Sequence, residues 1–290
     1  MRRRARVATA ALIVIGAAIG ALYLIGSTLI KPARMTIGAP PADLLAQLVR
    51  IPVGGGDIVG WLVVGKPRSG AVLLLHGVRA NRLQMLARAR FLERLGYSVL
   101  LIDLQAHGES GGTHMGFGAL EAEGVTASIK TMRRVFPGER IGVIGVSLGA
   151  ASLVLSRPNP AVDALVLESM YPTIDEAVAN RLAIRLGVPG RWMSPLLVQQ
   201  LPLRVGISPA MLRPVDAVQS LISPTLVIGG NEDRQTPPAE TRRIAEALAG
   251  PKALWLIEGA GHVDLHALAP GQYETRVGDF LASWLRAPPP

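Results

Sequence analysis

Residues 145–149 read Gly-Val-Ser-Leu-Gly, a serine between two glycines at the spacing that lets a strand turn sharply into a helix. A serine there sits at a helix N-terminus with its hydroxyl above the sheet edge, where a nucleophile belongs. The pentapeptide is common, so its flanks decide: an apolar β-rich run, Ile141–Val146, precedes it and a small-residue helical run, Gly149–Leu155, follows. Serine needs a general base, and the base needs a carboxylate to orient it. Two later apolar runs end in such groups: Leu226–Gly230 leads into Glu232 and Asp233, and Leu254–Glu258 leads into His262. The order Ser147, Asp233, His262 is the one this chemistry uses when the serine sits on a strand-to-helix turn. His266 competes as the base but falls in a helical stretch. Glu232 and Glu168 compete as the acid, Glu168 at the end of an earlier strand. An acyl-transfer serine also needs donors for the developing oxyanion. The backbone N–H of Leu148 is one, and the turn after Ala71–Leu75, reading His76-Gly77-Val78-Arg79, assigns the other to Val78. His76 is read as a turn residue.

Short apolar runs alternating with helical patterns must position these groups. The strands expected are 48–53 and 58–64, joined through Gly54-Gly55-Gly56 as a hairpin, then 71–75, 99–103, 140–146, 164–168, 225–229 and 253–258. Helices are expected over 81–95, 119–135, 148–156, 239–248 and 273–285. This alternation predicts an α/β fold, a mostly parallel sheet with helices on both faces. Residues 170–222 interrupt the rhythm and read as a helical cap inserted over the carboxyl edge of the sheet. That segment carries Arg181, Arg185, Arg191, Arg204 and Arg213 without an acid between Ala177 and Val215. Five arginines on one face of a cap would orient it toward anionic lipid; an ordinary solvated face is the other reading.

The 290 residues carry a net charge of +9, of which Arg2, Arg3, Arg4, Arg6, Lys31 and Arg34 supply +6. The other 256 residues carry only +3, so the charge does not point to nucleic acid. Between these basic residues, Val7–Ile30 runs 24 residues without a charge, long enough for a single transmembrane helix. A cleaved signal peptide is the rival reading, set behind it because the run is too long and Lys31-Pro32 follows it in place of a small-residue cleavage site. The excess of arginines before the span places the N-terminus in the cytoplasm and the rest outside it. The domains expected are therefore 1–34, a basic N-terminus and anchor, and 35–290, with the cap inside it. Cysteine is absent, so disulfides, thiolate metal sites and a cysteine nucleophile are excluded. No metal or cofactor is called for.

The pieces LLLHG (73–77), VLLIDLQAHGESGG (99–112), GVSLG (145–149), GNEDRQTP (230–237) and GAGH (259–262) together resemble the α/β-hydrolase superfamily, nearest its serine esterase, lysophospholipase and serine-aminopeptidase-like branches. The resemblance spans about residues 48–286. It implies the α/β-hydrolase fold, an ester or related acyl substrate and an acyl-enzyme mechanism. A peptidase or amidase shares that mechanism, and a membrane-tethered, non-catalytic scaffold on the same fold is the other class of reading. Many relatives have Arg-Gly where this chain has Gln105-Ala106, which bears on how the loop carrying His107 is anchored. His107 and His114 are read as loop residues.

Overall fold

Ala71–Leu75 is buried at every position, as expected of a strand covered on both faces. Its alternate residues divide between two cores: Leu73 and Leu75 pack on one side of the sheet, Val72 and Leu74 on the other. The computed structural model describes residues 2–286, without the side chains of several residues in the first helix. That helix, α1 (Arg2–Leu29), is followed by β1 (Ala33–Arg34), the hairpin β2 (Ala46–Ile51) and β3 (Ile58–Val63), and β4 (Ala71–Leu75). Next come α2 (Leu86–Arg94), β5 (Ser98–Ile102), β6 (His107–Gly108), α3 (Glu121–Val135), β7 (Ile141–Val146), α4 (Leu148–Leu155) and β8 (Ala164–Glu168).

Between Met170 and Ile222 the chain forms five helices: α5 (Ile174–Leu186), α6 (Val188–Arg191), α7 (Ser194–Val198), α8 (Leu201–Val205) and α9 (Pro214–Ala217). It closes with β9 (Thr225–Gly230), α10 (Pro238–Ala247), β10 (Lys252–Ile257), α11 (Leu265–Leu268) and α12 (Pro270–Leu285). Eight strands make the main sheet in the order β10-β9-β8-β7-β4-β5-β3-β2. Only β3 pairs antiparallel with its neighbours, β2 and β5. The expected α/β sheet is thus present, with α3, α4 and α10 over one face and α2 and α12 over the other. The parallel strands run the same way, so their carboxyl ends share one edge, where open α/β sheets build their sites.

The expected helix over 81–95 starts instead as a 3-10 turn, Arg82–Met85, capped by Asn81, whose side chain accepts from the Leu83 N–H at 3.0 Å. The loop after β5 is firmly held despite Gln105-Ala106. Asp103 accepts from the Arg82 N–H at 2.7 Å and the Glu109 N–H at 2.9 Å, and the Arg82 guanidinium joins both carboxylates. Ala106 takes a φ of 60°, the conformation a glycine would adopt without steric cost. The buried arginine anchors the loop, and the backbone at 106 adds to it, the Ala106 N–H donating to the Gly111 carbonyl at 2.6 Å and its carbonyl accepting from the Ala33 N–H at 2.8 Å.

The cap has its own small core of Ile174, Val198, Leu201, Ile207 and Leu212, joined by Ile30 from just beyond α1. Arg204 donates to Ser27 Oγ at 2.7 Å and to the Tyr23 carbonyl at 2.6 Å, and its guanidinium lies 4.2 Å from the Tyr23 ring centre. Arg79 donates to the Thr28 carbonyl, an acceptor that the end of the helix leaves open. Among the described residues, no helix is long and apolar enough to cross a membrane. The expected span at 7–30 lies partly outside them, since the side chains of Val7, Val14, Ile15 and Ile19, among others, are not described.

Candidate active site

At the end of β7, Ser147 turns the chain into α4 with φ 48° and ψ −105°. Holding a serine there costs on the order of 1–3 kcal/mol, and such strain gathers at functional sites. Its neighbours fix the turn: the Ser147 N–H donates to the Glu168 carbonyl at 2.7 Å, and the Ser147 carbonyl accepts from the Ala151 N–H at 3.0 Å. Two glycines make the approach possible. A Cβ on Gly145 would stand 2.6 Å from the Ala150 nitrogen, and one on Gly149 2.5 Å from the Leu75 carbonyl oxygen. The Ser147 hydroxyl is buried and has no hydrogen-bond partner among the described residues.

Two strands away, Asp233 follows β9 and is 2% exposed. Its Oδ1 accepts from the Gln235 N–H at 2.8 Å and the Thr236 N–H at 2.9 Å, while its Oδ2 accepts from the Thr236 hydroxyl at 2.6 Å. His262, after β10, completes the set with its Nδ1 2.8 Å from Asp233 Oδ2. The carboxylate only accepts, so Nδ1 carries the proton and Nε2 is left as the basic nitrogen. Burial pushes the Asp233 carboxyl up, but the His262 and Thr236 hydrogen bonds outweigh it and hold the group below its usual range. The carboxylate is therefore ionised at neutral pH.

The competing residues lie elsewhere. His266 is buried on α11, 3.1 Å from Glu274, with its ring 4.9 Å from that of Tyr273. Glu232 is exposed. Glu168 is buried in an ion pair with Arg88 at 2.7 Å. Near the other edge of the site, the Gly77 N–H is committed to Gln84 Oε1 at 2.7 Å, and Arg79 at φ 57° closes the turn. Val78, between them, is exposed, and Leu148, as the first residue of α4, has an N–H without an acceptor within its helix. His76 is buried; its Nε2 accepts from the Leu104 N–H at 3.0 Å, and burial with the nearby His107 ring lowers its pKa to about 3. It is thus a neutral structural residue. His107 is also buried, and His114 lines a cavity between α1 and the cap.

Three of the five cap arginines are engaged by other groups of the protein. Arg181 is partly buried and donates to the Ala177 carbonyl at 2.9 Å, Arg204 holds α1, and Arg213 pairs with Asp216. Only Arg185 and Arg191 stand exposed without a partner in the cap. Sequence reasoning missed Thr236, whose hydroxyl sits on Asp233 and 3.4 Å from His262 Nδ1. The Asp-x-x-Thr spacing was the signal available for it.

The description of the alpha/beta hydrolase family matches residues 72–275, which include every residue of this constellation. This chain belongs to the alpha/beta hydrolase family. It is 27% identical over 231 residues to the uncharacterised protein YqkD of Bacillus subtilis, covering 78% of this chain and 76% of that one. It is 31% identical over 198 residues to an uncharacterised protein of Mycobacterium tuberculosis, covering 67% of this chain and 63% of its relative. The match thus spans less than two thirds of the mycobacterial protein. Among solved structures, the Pyrococcus furiosus esterase Pf2001 superposes with a TM-score of 0.72 at 25% identity, covering 88% of this chain and 99% of the esterase. A dienelactone hydrolase from Anabaena variabilis shares the fold, with a TM-score of 0.61 at 20% identity over 83% of this chain and 98% of its own. Family and neighbours together support a hydrolase.

Proposed function

We propose that this alpha/beta hydrolase is a serine esterase that cleaves carboxylic esters through an acyl-enzyme intermediate. The observation that carries the reading is the 2.8 Å bond between Asp233 and His262, formed at the same sheet edge as the strained Ser147 turn. The likeness to the Pyrococcus furiosus esterase supports the ester as substrate. In the proposed reaction the Ser147 hydroxyl, which has no competing partner, turns onto His262 Nε2 when substrate arrives. Its oxygen attacks the acyl carbon as its proton passes to Nε2, and the oxyanion is held by the Val78 and Leu148 N–H groups. Collapse of the tetrahedral species breaks the acyl–oxygen bond, and His262 returns the proton to the leaving alcohol. Water then attacks the acyl-serine by the same route, releasing the acid. Asp233, kept ionised by its hydrogen bonds, steadies the imidazolium throughout.

A cavity of about 760 Å³ lies between α1 and the cap, lined in part by Leu22, Tyr23, Leu196 and Leu203; Ser147, Asp233 and His262 are not among its lining residues. The apolar side chains of the cap, among them Leu182, Leu186, Leu196 and Leu197, support acyl chains over small polar esters. Full-length protein in detergent is expected to hydrolyse p-nitrophenyl esters, with chains of eight or more carbons about tenfold better than acetyl in kcat/KM, as about two buried methylenes would give. Faster turnover of aminoacyl amides than of any ester would shift the assignment to a peptidase or amidase; no turnover would favour the scaffold reading.

The proposal extends to location: residues 7–30 are a retained anchor, with the hydrolase domain outside the cytoplasm. The uncharged 24-residue run and the arginines before it support this. A reporter active only outside the cytoplasm, fused after Pro290, is expected to be active. Activity of a cytoplasmic reporter at that junction would reverse the orientation.

A further inference from the structure

Behind the His262 loop lies a buried cluster that the proposed reaction does not use. Arg88, on α2, is 1% exposed. Its Nε donates to Glu168 Oε1 at 3.1 Å and its Nη2 to Glu168 Oε2 at 2.7 Å, a two-pronged pair. The same Nη2 stands 2.9 Å from Asp264 Oδ1. Tyr273, from α12, closes the cluster by donating its hydroxyl to Glu168 Oε1. Two carboxylates from opposite sides of the site therefore share one guanidinium.

What those carboxylates belong to gives the cluster its meaning. Glu168 is the residue whose carbonyl holds the Ser147 N–H at 2.7 Å. Asp264 lies two residues after His262 and caps α11, its Oδ1 accepting from the His266 N–H at 3.0 Å and the Ala267 N–H at 3.3 Å. One bridge thus runs from the strand that fixes the serine to the loop that presents the histidine. Before His262 the loop is tied to the turn after β9, the Gly259 N–H donating to Asn231 Oδ1 at 2.7 Å and the Ala260 carbonyl accepting from the Glu232 N–H at 2.9 Å. After His262 the Val263 N–H reaches only as far as the Gly261 carbonyl, at 3.0 Å, and Asp264 supplies the tie on that side. Burial pushes the Asp264 carboxyl up, but Arg88 outweighs it and keeps the group charged.

We propose that Arg88 is a positioning residue, which through Asp264 and Glu168 fixes the distance between the His262 ring and the Ser147 hydroxyl. This rests on the serine-esterase reading above. Positioning at this precision matters because a displacement of about 1 Å can cost about 100-fold in rate. A bridge with only a packing role would protect stability and leave the rate of the folded enzyme alone.

Arg88 itself is buried between two acids, and its loss would leave them uncompensated, so the test is made at Asp264, whose side chain is 31% exposed. In full-length protein, Asp264→Ala is expected to slow phosphonylation by a fluorophosphonate, and kcat for ester hydrolysis, by about 10- to 100-fold, with KM changed less than about threefold. Asp264→Asn keeps an oxygen for Arg88 and for the α11 cap, and is expected to recover the wild-type rate to within about threefold. Arg94→Ala, which opens the exposed pair with Glu274, is the control and leaves the rate unchanged. If Asp264→Ala melts lower but is phosphonylated at the wild-type rate, the positioning role is overturned. If the wild type itself is not phosphonylated at Ser147, the esterase reading fails instead.

Discussion

Ser147→Ala is expected to lower ester turnover by at least about three orders of magnitude, and His262→Ala by a similar factor. The double variant should be little worse than either single one, because nucleophile and base act as a unit and the second loss removes nothing the first has not already disabled. Residual activity above the uncatalysed rate would come from the Val78 and Leu148 amides, which stay in place. Neither change should unfold the protein: Ser147 makes no side-chain hydrogen bond, and the ring of His262 is partly open to solvent. The check is steady-state kinetics on all three variants at matched melting temperature. Additive losses, with the double variant slower by the product of the two single factors, would mean that serine and histidine act independently.

The second large effect is on stability. Arg82 is fully buried, bonded to Asp103 and Glu109, and lies 4.6 Å from the centre of the Trp61 ring. Arg82→Leu leaves Asp103 buried without its cation, a loss of about 3–5 kcal/mol. The melting temperature should then fall by roughly 10 °C in a chain of this size. The deficit carries a pH signature. Burial already holds the Asp103 carboxyl above its ordinary 3.8, despite N–H donors from Glu109 and Arg82. Without the guanidinium it rises further, so the folded variant binds a proton more tightly than the unfolded chain does. Its stability therefore increases as pH falls through that raised value, and the gap to wild type should narrow from pH 7 toward pH 5. Thermal melts across that range give the answer: a gap that widens on acidification, or a melting temperature within about 2 °C of wild type, would show that the buried cation is not what holds this loop.

Much of this was legible in the sequence because each candidate group comes shortly after an apolar run. Ser147 ends an apolar run of six, Asp233 and His262 follow two more, and parallel strands bring such ends to one edge. The glycines at 145 and 149 marked a turn that no larger residue could occupy. His262 and His266 were harder to separate, since both follow the same strand. What separates them is α11, which turns His266 inward onto Phe91 and Tyr273, and its start depends on the Asp264 cap. The bridge from Arg88 to Glu168 and Asp264 was not legible, because its members come from three distant segments and nothing in their spacing pairs them. The cap misled for a related reason. Its arginines look like one basic stripe in sequence, yet three of them turn to α1, to the Ala177 carbonyl and to Asp216.

The central claim is that Ser147 carries the acyl group, and trapping it tests that claim most directly. Full-length protein treated with a fluorophosphonate and digested should show the mass of one adduct on the peptide containing Ser147, and Ser147→Ala should show none. Equal labelling of the wild type and Ser147→Ala, with the adduct on another residue, would contradict the account.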